Sequence, residues 1–416
     1  MFHAVLATLP LLCTVLAQCP GSPNPVNDIE PITASGWKWS VVSTNISNPR
    51  SLQFDSAGRL IVLQSGHGIT ALTLEDDGGN CVGETSRKVL KEDASFNHGL
   101  ALSADGRTIY ASSSEAAFSW PYDPANAIIG ADATTLVRGM DNTDHNTRTL
   151  LISPSAPNNL VVSRGSNANI DPGAADVTAG RSQIKAFDLT KLPTGGYDFI
   201  TDGLRLGWGL RNSVGVAEHP VTHGIYSVEN SVDEFDRDGV DVHQDNPGEE
   251  MNFHGTILDN AFKNQGGSYG YPNCFAAWLV SALPNNEGLV TGSPFSNSSK
   301  YDYLCEGTIA PVMTFGAHKA PLDIKFNNSG TEGWVSFHGS WDRDAKTGYK
   351  ISYVPFVDGQ PRAVKATNPT NDIFHNADVT RCPGNCFRPT GMTFDSQGRL
   401  FMSSDYSGEI YVVARD

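Results

Sequence analysis

Apolar and polar residues alternate in short bursts along this chain, and six of those bursts share one grammar: an apolar strand, a tight turn, and a second strand that ends in small residues. The clearest copies are Ser51–Leu63 (SLQFDSAGRLIVL), Leu100–Ser112 (LALSADGRTIYAS) and Gly391–Ser403 (GMTFDSQGRLFMS); weaker copies begin at Thr149, Val214 and Leu322. Period-two alternation around a turn is the pattern of a half-buried β-hairpin. Units of this kind at intervals of roughly 50 residues or more predict blades around an axis, so the predicted fold is all-β, a six-bladed β-propeller. The polar residues just ahead of the copies are His98, His145 with Arg148, Arg211 with Asn212, His318 and Arg388. In a propeller they would all rim one end of the central channel.

The rest of the chain is consistent with one large domain over residues 18–416. No amphipathic helix, heptad pattern, low-complexity tract or Pro/Ser-rich linker follows residue 35, and a repeat architecture can grow past the size of a single simple core. Residues 1–17, MFHAVLATLPLLCTVLA, read as a secretory signal peptide: a short apolar run with small residues near its end, although its first residues lack Lys and Arg. Of the seven cysteines, Cys13 lies in that leader, and the remaining six are an even number, as expected in an oxidising compartment. The expected pairs are Cys382–Cys386 around a Pro-Gly turn, Cys274–Cys305 across the long interval between the fourth and fifth copies, and Cys19–Cys81. Glycosylation sequons at Asn45, Asn297 and Asn327 fit an extracellular location.

Charge narrows the partners. A net charge of −16 disfavours nucleic acid and anionic membrane surfaces. Much of the acidity is local: Asp233, Glu234, Asp236, Asp238, Asp241, Asp245, Glu249 and Glu250 lie within one short stretch, offset by Arg237. Oxygen ligands at that density suit Ca²⁺, or else form a solvated loop; the spacing is not that of an EF-hand. Gly266-Gly267-Ser268-Tyr269-Gly270 matches G-x-S-x-G, but lacks the preceding buried strand and following helix that a nucleophilic serine needs. Several His and Arg residues at one channel mouth are hard to explain by packing, because unpaired charge is costly to bury.

A run of blocks adds a family resemblance. DHNTRTLLISP (Asp144–Pro154), VSRGSNANID, GLRNSVGVAEHP, SVENSVDE, NPGEEMNF, GSYGYPN, GAHKAPLDIKF, FHGSWDRDAKTGYKISYVPF and FRPTGMTFD occur in order from about residue 50 onward. They resemble the sorbosone-dehydrogenase and soluble quinoprotein glucose-dehydrogenase superfamily, and within it the fungal pyranose dehydrogenases that use pyrroloquinoline quinone (PQQ). The resemblance implies a six-bladed propeller and the following roles. His145 is the general base, with Asp144 beside it contacting the sugar and His98 near the pocket. Arg211 and Asn212 hydrogen-bond the quinone oxygens, Arg388 holds a PQQ carboxylate, and His338 stands where bacterial glucose enzymes carry a lysine. Backbone carbonyls of Ser231 and Val232 bind a Ca²⁺ that sits on PQQ, and Glu250 with the backbone of Tyr269 forms a second, structural Ca²⁺ site. Lys319 and Trp341 lie near the cofactor.

The implied activity is secreted, Ca²⁺- and PQQ-dependent oxidation of a pyranose at its anomeric carbon to a lactone. Electrons would leave to a separate acceptor, such as a cytochrome b domain protein or a quinone, and the chain would act as a monomer. Histidine, with an unperturbed pKa near 6.5, suits the proton-accepting role. Two other readings remain open on sequence: a Ca²⁺-dependent propeller lactonase, which would need side-chain carboxylates ahead of the repeat strands where this chain has His and Arg, and a non-catalytic binding propeller.

Overall fold

All six hairpins form in the computed structural model, which describes residues 19, 21–27, 30–259 and 261–416. The proposed leader lies outside the described residues. The inner strands are Pro49–Phe54, Phe96–Leu102, Leu150–Ile152, Ser213–Glu218, Pro321–Phe326 and Pro389–Phe394. Each pairs antiparallel with the strand that follows it in the chain, and two further strands complete each blade of the six-bladed propeller. The second blade also carries Tyr197–Asp198, paired in parallel at its outer edge, and the fifth carries Pro31–Thr33. Among the described residues no helix is long and apolar enough to cross a membrane.

The ring is closed by its two ends. Trp37–Ser43 pairs antiparallel with Glu409–Arg415 and becomes the outer strand of the sixth blade. Its period-two pattern serves two interfaces, since successive side chains of a strand face opposite ways. Val41 packs with Trp334, Ile351 and Tyr411 against the fifth blade. Val42 packs with Leu52, Val62 and Phe401 against the first.

The small residues ending the second strand of each hairpin have a physical role. In the second blade the Gly99 N–H donates to Ser112 Oγ (3.0 Å), whose hydroxyl donates to the carbonyl of Arg148 in the next blade (2.7 Å). The sixth blade repeats the arrangement through Gly391, Ser403 and the Arg50 carbonyl of the first blade, at 2.9 and 2.6 Å. Ser336 likewise donates to Thr390 of the sixth blade. Glycine is required at this contact: a Cβ on Gly391 would lie 2.2 Å from the Arg50 carbonyl oxygen. These bonds staple neighbouring blades close to the axis.

The fourth blade departs from the repeat. Between its third strand, Glu249–Phe253, and its fourth, Met313–Phe315, the chain makes an excursion carrying a short hairpin (Phe275–Ala276 with Pro294–Phe295), the 3-10 helix Ser299–Cys305 and the Cys274–Cys305 disulfide. Phe275 and Phe295 from this excursion pack on Val232, Phe235 and Val242. Buried Arg237 ties the same loop down, with both terminal nitrogens on Asp302 (2.9 and 2.7 Å). Residues 230–245 are therefore held as a rigid wall. The other two expected disulfides, Cys19–Cys81 and Cys382–Cys386, also form.

Ser403→Ala should lower stability by about 1–3 kcal/mol, because it leaves the Gly391 N–H and the Arg50 carbonyl without a buried partner. Chemical denaturation measures this; an unchanged midpoint would show that the staple contributes nothing.

Candidate functional site

A cavity of about 180 Å³ at one end of the channel brings together His145, Arg211, Asn212, Ser231, His338, Trp341 and Arg388. They come from four blades and the loop walled by the excursion, so only closure of the ring assembles them. Three groups that carried no specific role in the sequence join them: Asp233, Glu249 and His318.

His145 sits in the connection entering the third blade. Arg148 and Asn142 donate to its backbone carbonyl at 2.9 and 3.2 Å, and its Nδ1 lies 2.8 Å from Ser166 Oγ. Burial and the nearby Arg211 guanidinium push its pKa down to about 4. The pocket thus shifts it well below the unperturbed 6.5, and the imidazole is neutral through the physiological range. Close packing makes this possible, because a Cβ on Gly165 would fall 2.7 Å from the His145 Cβ and 2.8 Å from Asn212 Oδ1.

Arg211 is fixed on every side. Its Nε and one terminal nitrogen donate to the carbonyl and side-chain oxygens of Asn169 at 3.0 and 2.8 Å, and that same nitrogen pairs with Asp233 at 3.0 Å. Asn169 Oδ1 also accepts from the Asp233 N–H. Burial acts to raise the Asp233 pKa, but His318 and Arg211 hold it below the ordinary value. Asp233, His318 and Asp342 lie close enough to share a cation, yet the Arg211 guanidinium already occupies one carboxylate oxygen of Asp233.

Across the cavity, Arg388 donates to the His338 carbonyl at 3.2 Å and lies over the Tyr349 ring at 5.7 Å. His338 Nε2 contacts Asp405 (2.9 Å), whose other oxygen pairs with Arg50 (2.6 Å). Burial pushes the His338 pKa down against the pull of Asp405.

Beneath the Ser231 loop lie three buried carboxylates. Glu249 accepts from the backbone N–H groups of Ser231 (2.7 Å) and Ala320 (3.0 Å), joining two walls of the cavity. Glu229 and Glu250 stand directly opposite each other in adjacent strands, a register in which like charges repel. Asn252 Nδ2 donates to both, at 3.2 and 3.0 Å, and its Oδ1 has no hydrogen-bond partner. No Lys or Arg side chain among the described residues pairs with these three acids. Burial raises the pKa of all three, that of Glu250 to about 7. The buried Tyr269 phenol is raised by burial and then by Glu229 and Glu250. Of the remaining acids of the stretch, Glu234, Asp236, Asp238 and Asp241 are exposed, and Asp245 is half-buried and pairs with Arg343 at 3.0 Å.

Four expected positions do not line this cavity with their side chains. His98 is buried below the site, lining a separate channel cavity of about 280 Å³ and accepting from Arg50 Nε (3.3 Å). Lys319 also stays out of the cavity: it lies 5.7 Å from the Phe337 ring centre, and burial followed by Lys350 lowers its pKa to about 8. Asp144 is exposed and reaches His145 only through its charge. The Val232 side chain packs under the excursion. Ser166 and Asn169 were not singled out in the sequence, although both lie in the VSRGSNANID block.

Known proteins share this arrangement's frame. The chain is 47% identical over 393 residues to the pyrroloquinoline quinone-dependent sugar dehydrogenase of Hypocrea jecorina, covering 92% of this chain and 89% of that protein. It is 36% identical to the pyrroloquinoline quinone-dependent pyranose dehydrogenase of Coprinopsis cinerea, covering 97% of this chain but only 57% of that protein. Among solved structures, the calcium structure of the Trichoderma reesei carbohydrate-active enzyme family AA12 superposes with a TM-score of 0.92 at 46% identity, covering 96% and 100% of the two chains. The holo form of the PQQ domain of the Coprinopsis cinerea pyranose dehydrogenase gives 0.88 at 35% identity, covering 96% and 100%. With the TrAA12-like family model matching residues 31–416, the chain belongs to that family.

Proposed function

We propose that this protein is a secreted, Ca²⁺- and PQQ-dependent sugar dehydrogenase that oxidises a pyranose at the anomeric C1 hydroxyl to a lactone and passes the electrons to a separate acceptor. The observation that carries the reading is the meeting, in one cavity, of a neutral imidazole with two guanidinium groups from different blades. The relatives named for PQQ-dependent sugar oxidation support it, as do the three disulfides for an oxidising, extracellular setting.

The donor set fits the cofactor. PQQ is a planar ortho-quinone with three carboxylates, and arginine matches carboxylates bidentately. Arg211, Asn212, Arg388 and His338 would hold it, with Ser231 and Val232 presenting carbonyls to the Ca²⁺ beside it. Glu250, together with Glu229 and the Tyr269 backbone, would hold the structural Ca²⁺. Two facing carboxylates with no cationic partner are a costly arrangement that a divalent cation relieves. When bound, PQQ supplies the two-electron oxidant that accepts hydrogen from C1.

The chain's own residues do the rest. His145, kept neutral by burial and Arg211, accepts the hydroxyl proton as general base. Arg211, immobilised by Asn169 and Asp233, places a fixed positive charge where the cofactor's anionic groups lie and needs no reorganisation during reaction. Trp341, 61% exposed at the cavity mouth, offers an aromatic face to an incoming ring.

The reading is tested by adding PQQ and Ca²⁺ to purified protein and screening monosaccharides with an artificial electron acceptor. Sugar-dependent reduction with lactone as the first product is expected; no turnover on any sugar with both cofactors present would overturn it. His145→Ala should reduce kcat by about a hundred- to ten-thousandfold while PQQ still binds, whereas Arg211→Ala and Arg388→Ala should weaken PQQ binding in titration calorimetry. In cofactor-free protein the His145 imidazole should titrate near pH 4 by NMR, and a midpoint near pH 6.5 would exclude that environment. Metal removal adds a stability signature. Glu250 has a folded pKa near 7, above its ordinary 4.5, so between those values the folded state binds more protons than the unfolded one and stability falls as pH rises. The melting temperature in chelator should drop from about pH 4.5 to 7 and flatten when Ca²⁺ is restored; parallel curves would count against a cation at these carboxylates.

A further inference from the structure

Ser166 Oγ lies 2.8 Å from His145 Nδ1 and 2.8 Å from the carbonyl oxygen of Ala168. A carbonyl oxygen only accepts, and a serine hydroxyl has one hydrogen to give. That hydrogen goes to Ala168, so Oγ is an acceptor toward the ring and Nδ1 must donate. The lone pair is then on Nε2. From this geometry we infer that Ser166 is a positioning residue that locks His145 in its Nδ1–H tautomer and leaves Nε2 as the basic atom facing the cavity.

The surroundings make the lock rigid. Ser166 is fully buried, and its own N–H donates to the Arg211 carbonyl at 2.8 Å. Asn142 Nδ2 donates to the carbonyls of both His145 and Ser166, at 3.2 and 3.1 Å. The four residues Ser166–Asn169 thus grip His145 on one side and, through Asn169, Arg211 on the other. The hydroxyl fixes the tautomer without adding charge. A carboxylate at this place would stabilise the imidazolium and raise the pKa, whereas the charged groups that act on this ring are Arg211, Asp144 and Asp233, with burial outweighing the two acids.

The link to catalysis rests on the dehydrogenase reading above. There the sugar O–H bond breaks, an N–H bond forms at Nε2, and the resulting imidazolium keeps its Nδ1 proton on Ser166. The hydrogen on C1 and its electron pair leave to the quinone cofactor.

The tautomer itself can be read without cofactor or substrate. In cofactor-free protein labelled with ¹⁵N-histidine, and with His145 assigned by comparison with His145→Gln, wild type should show a protonated Nδ1 and an unprotonated Nε2 at pH 7. Ser166→Ala should shift the ring toward the other tautomer and lower kcat about 10- to 100-fold at unchanged KM and PQQ affinity; Ser166→Thr, which keeps the hydroxyl, should restore both. A protonated Nε2 in wild type would overturn the inference, as would a Ser166→Ala variant with unchanged tautomer and kcat. If the expected tautomer appeared in a protein that oxidised no sugar, the lock would stand and the functional reading would fall.

Discussion

Charge held away from water is the condition under which the rest of this structure makes sense. Six inner strands converge on one axis, and their leading ends bring several ionisable groups together in one cavity. Two linked chains manage the cost. Asp233 bridges Arg211 and His318 on one side, and Asp405 bridges His338 and Arg50 on the other. With opposite charges matched along each chain, the desolvation penalty is met by short, well-directed contacts. Glu229, Glu249 and Glu250 stand outside this scheme, and burial, with repulsion among them, raises their proton affinity.

Neutrality at one chosen point follows from the same arrangement. Arg211 is paired on one side and bears on His145 on the other, so the arginine that would grip an anionic cofactor also keeps the imidazole from protonating. Binding and acid–base chemistry are therefore coupled through one side chain. A change at Arg211 is therefore expected to alter both.

Much of this was legible in the sequence, because period-two hairpins with tight turns leave a local record. All six hairpins occur where the alternation placed them, and five of the seven rim residues open on a common cavity once the ring closes. The errors arise where a rim position fixes the blade but not the direction of the side chain. His98 lies within the irregular register between Phe96 and Leu100 and turns down the channel. Lys319 stands between His318 and Ala320, both with left-handed backbone (φ 61° and 52°), which breaks the alternation that would have aimed it at the cavity. The charge chains were not legible for another reason: Arg50 and Asp405 are 355 residues apart, and nothing in either neighbourhood encodes the other. Ser166 and Asn169 lie in a loop without periodicity, where their roles depend on partners from other blades.

The closing strand also orders the events of biosynthesis. Trp37–Ser43 leaves the ribosome before any inner strand of the six blades, and its partner Glu409–Arg415 after all of them. Until then this strand is an unpaired edge with apolar residues on both faces, a template for association with other chains. Two features hold it near its final position meanwhile. The Cys19–Cys81 bond can form once the first blade is out, and Asn80, next to Cys81, exchanges hydrogen bonds with Trp39 and Ser40 at 2.7 and 2.5 Å. The Cys19–Cys81 bond thus does more than add stability at the end: once formed, it parks the first strand beside the blade it will later help to enclose, and shortens the search that completes the ring.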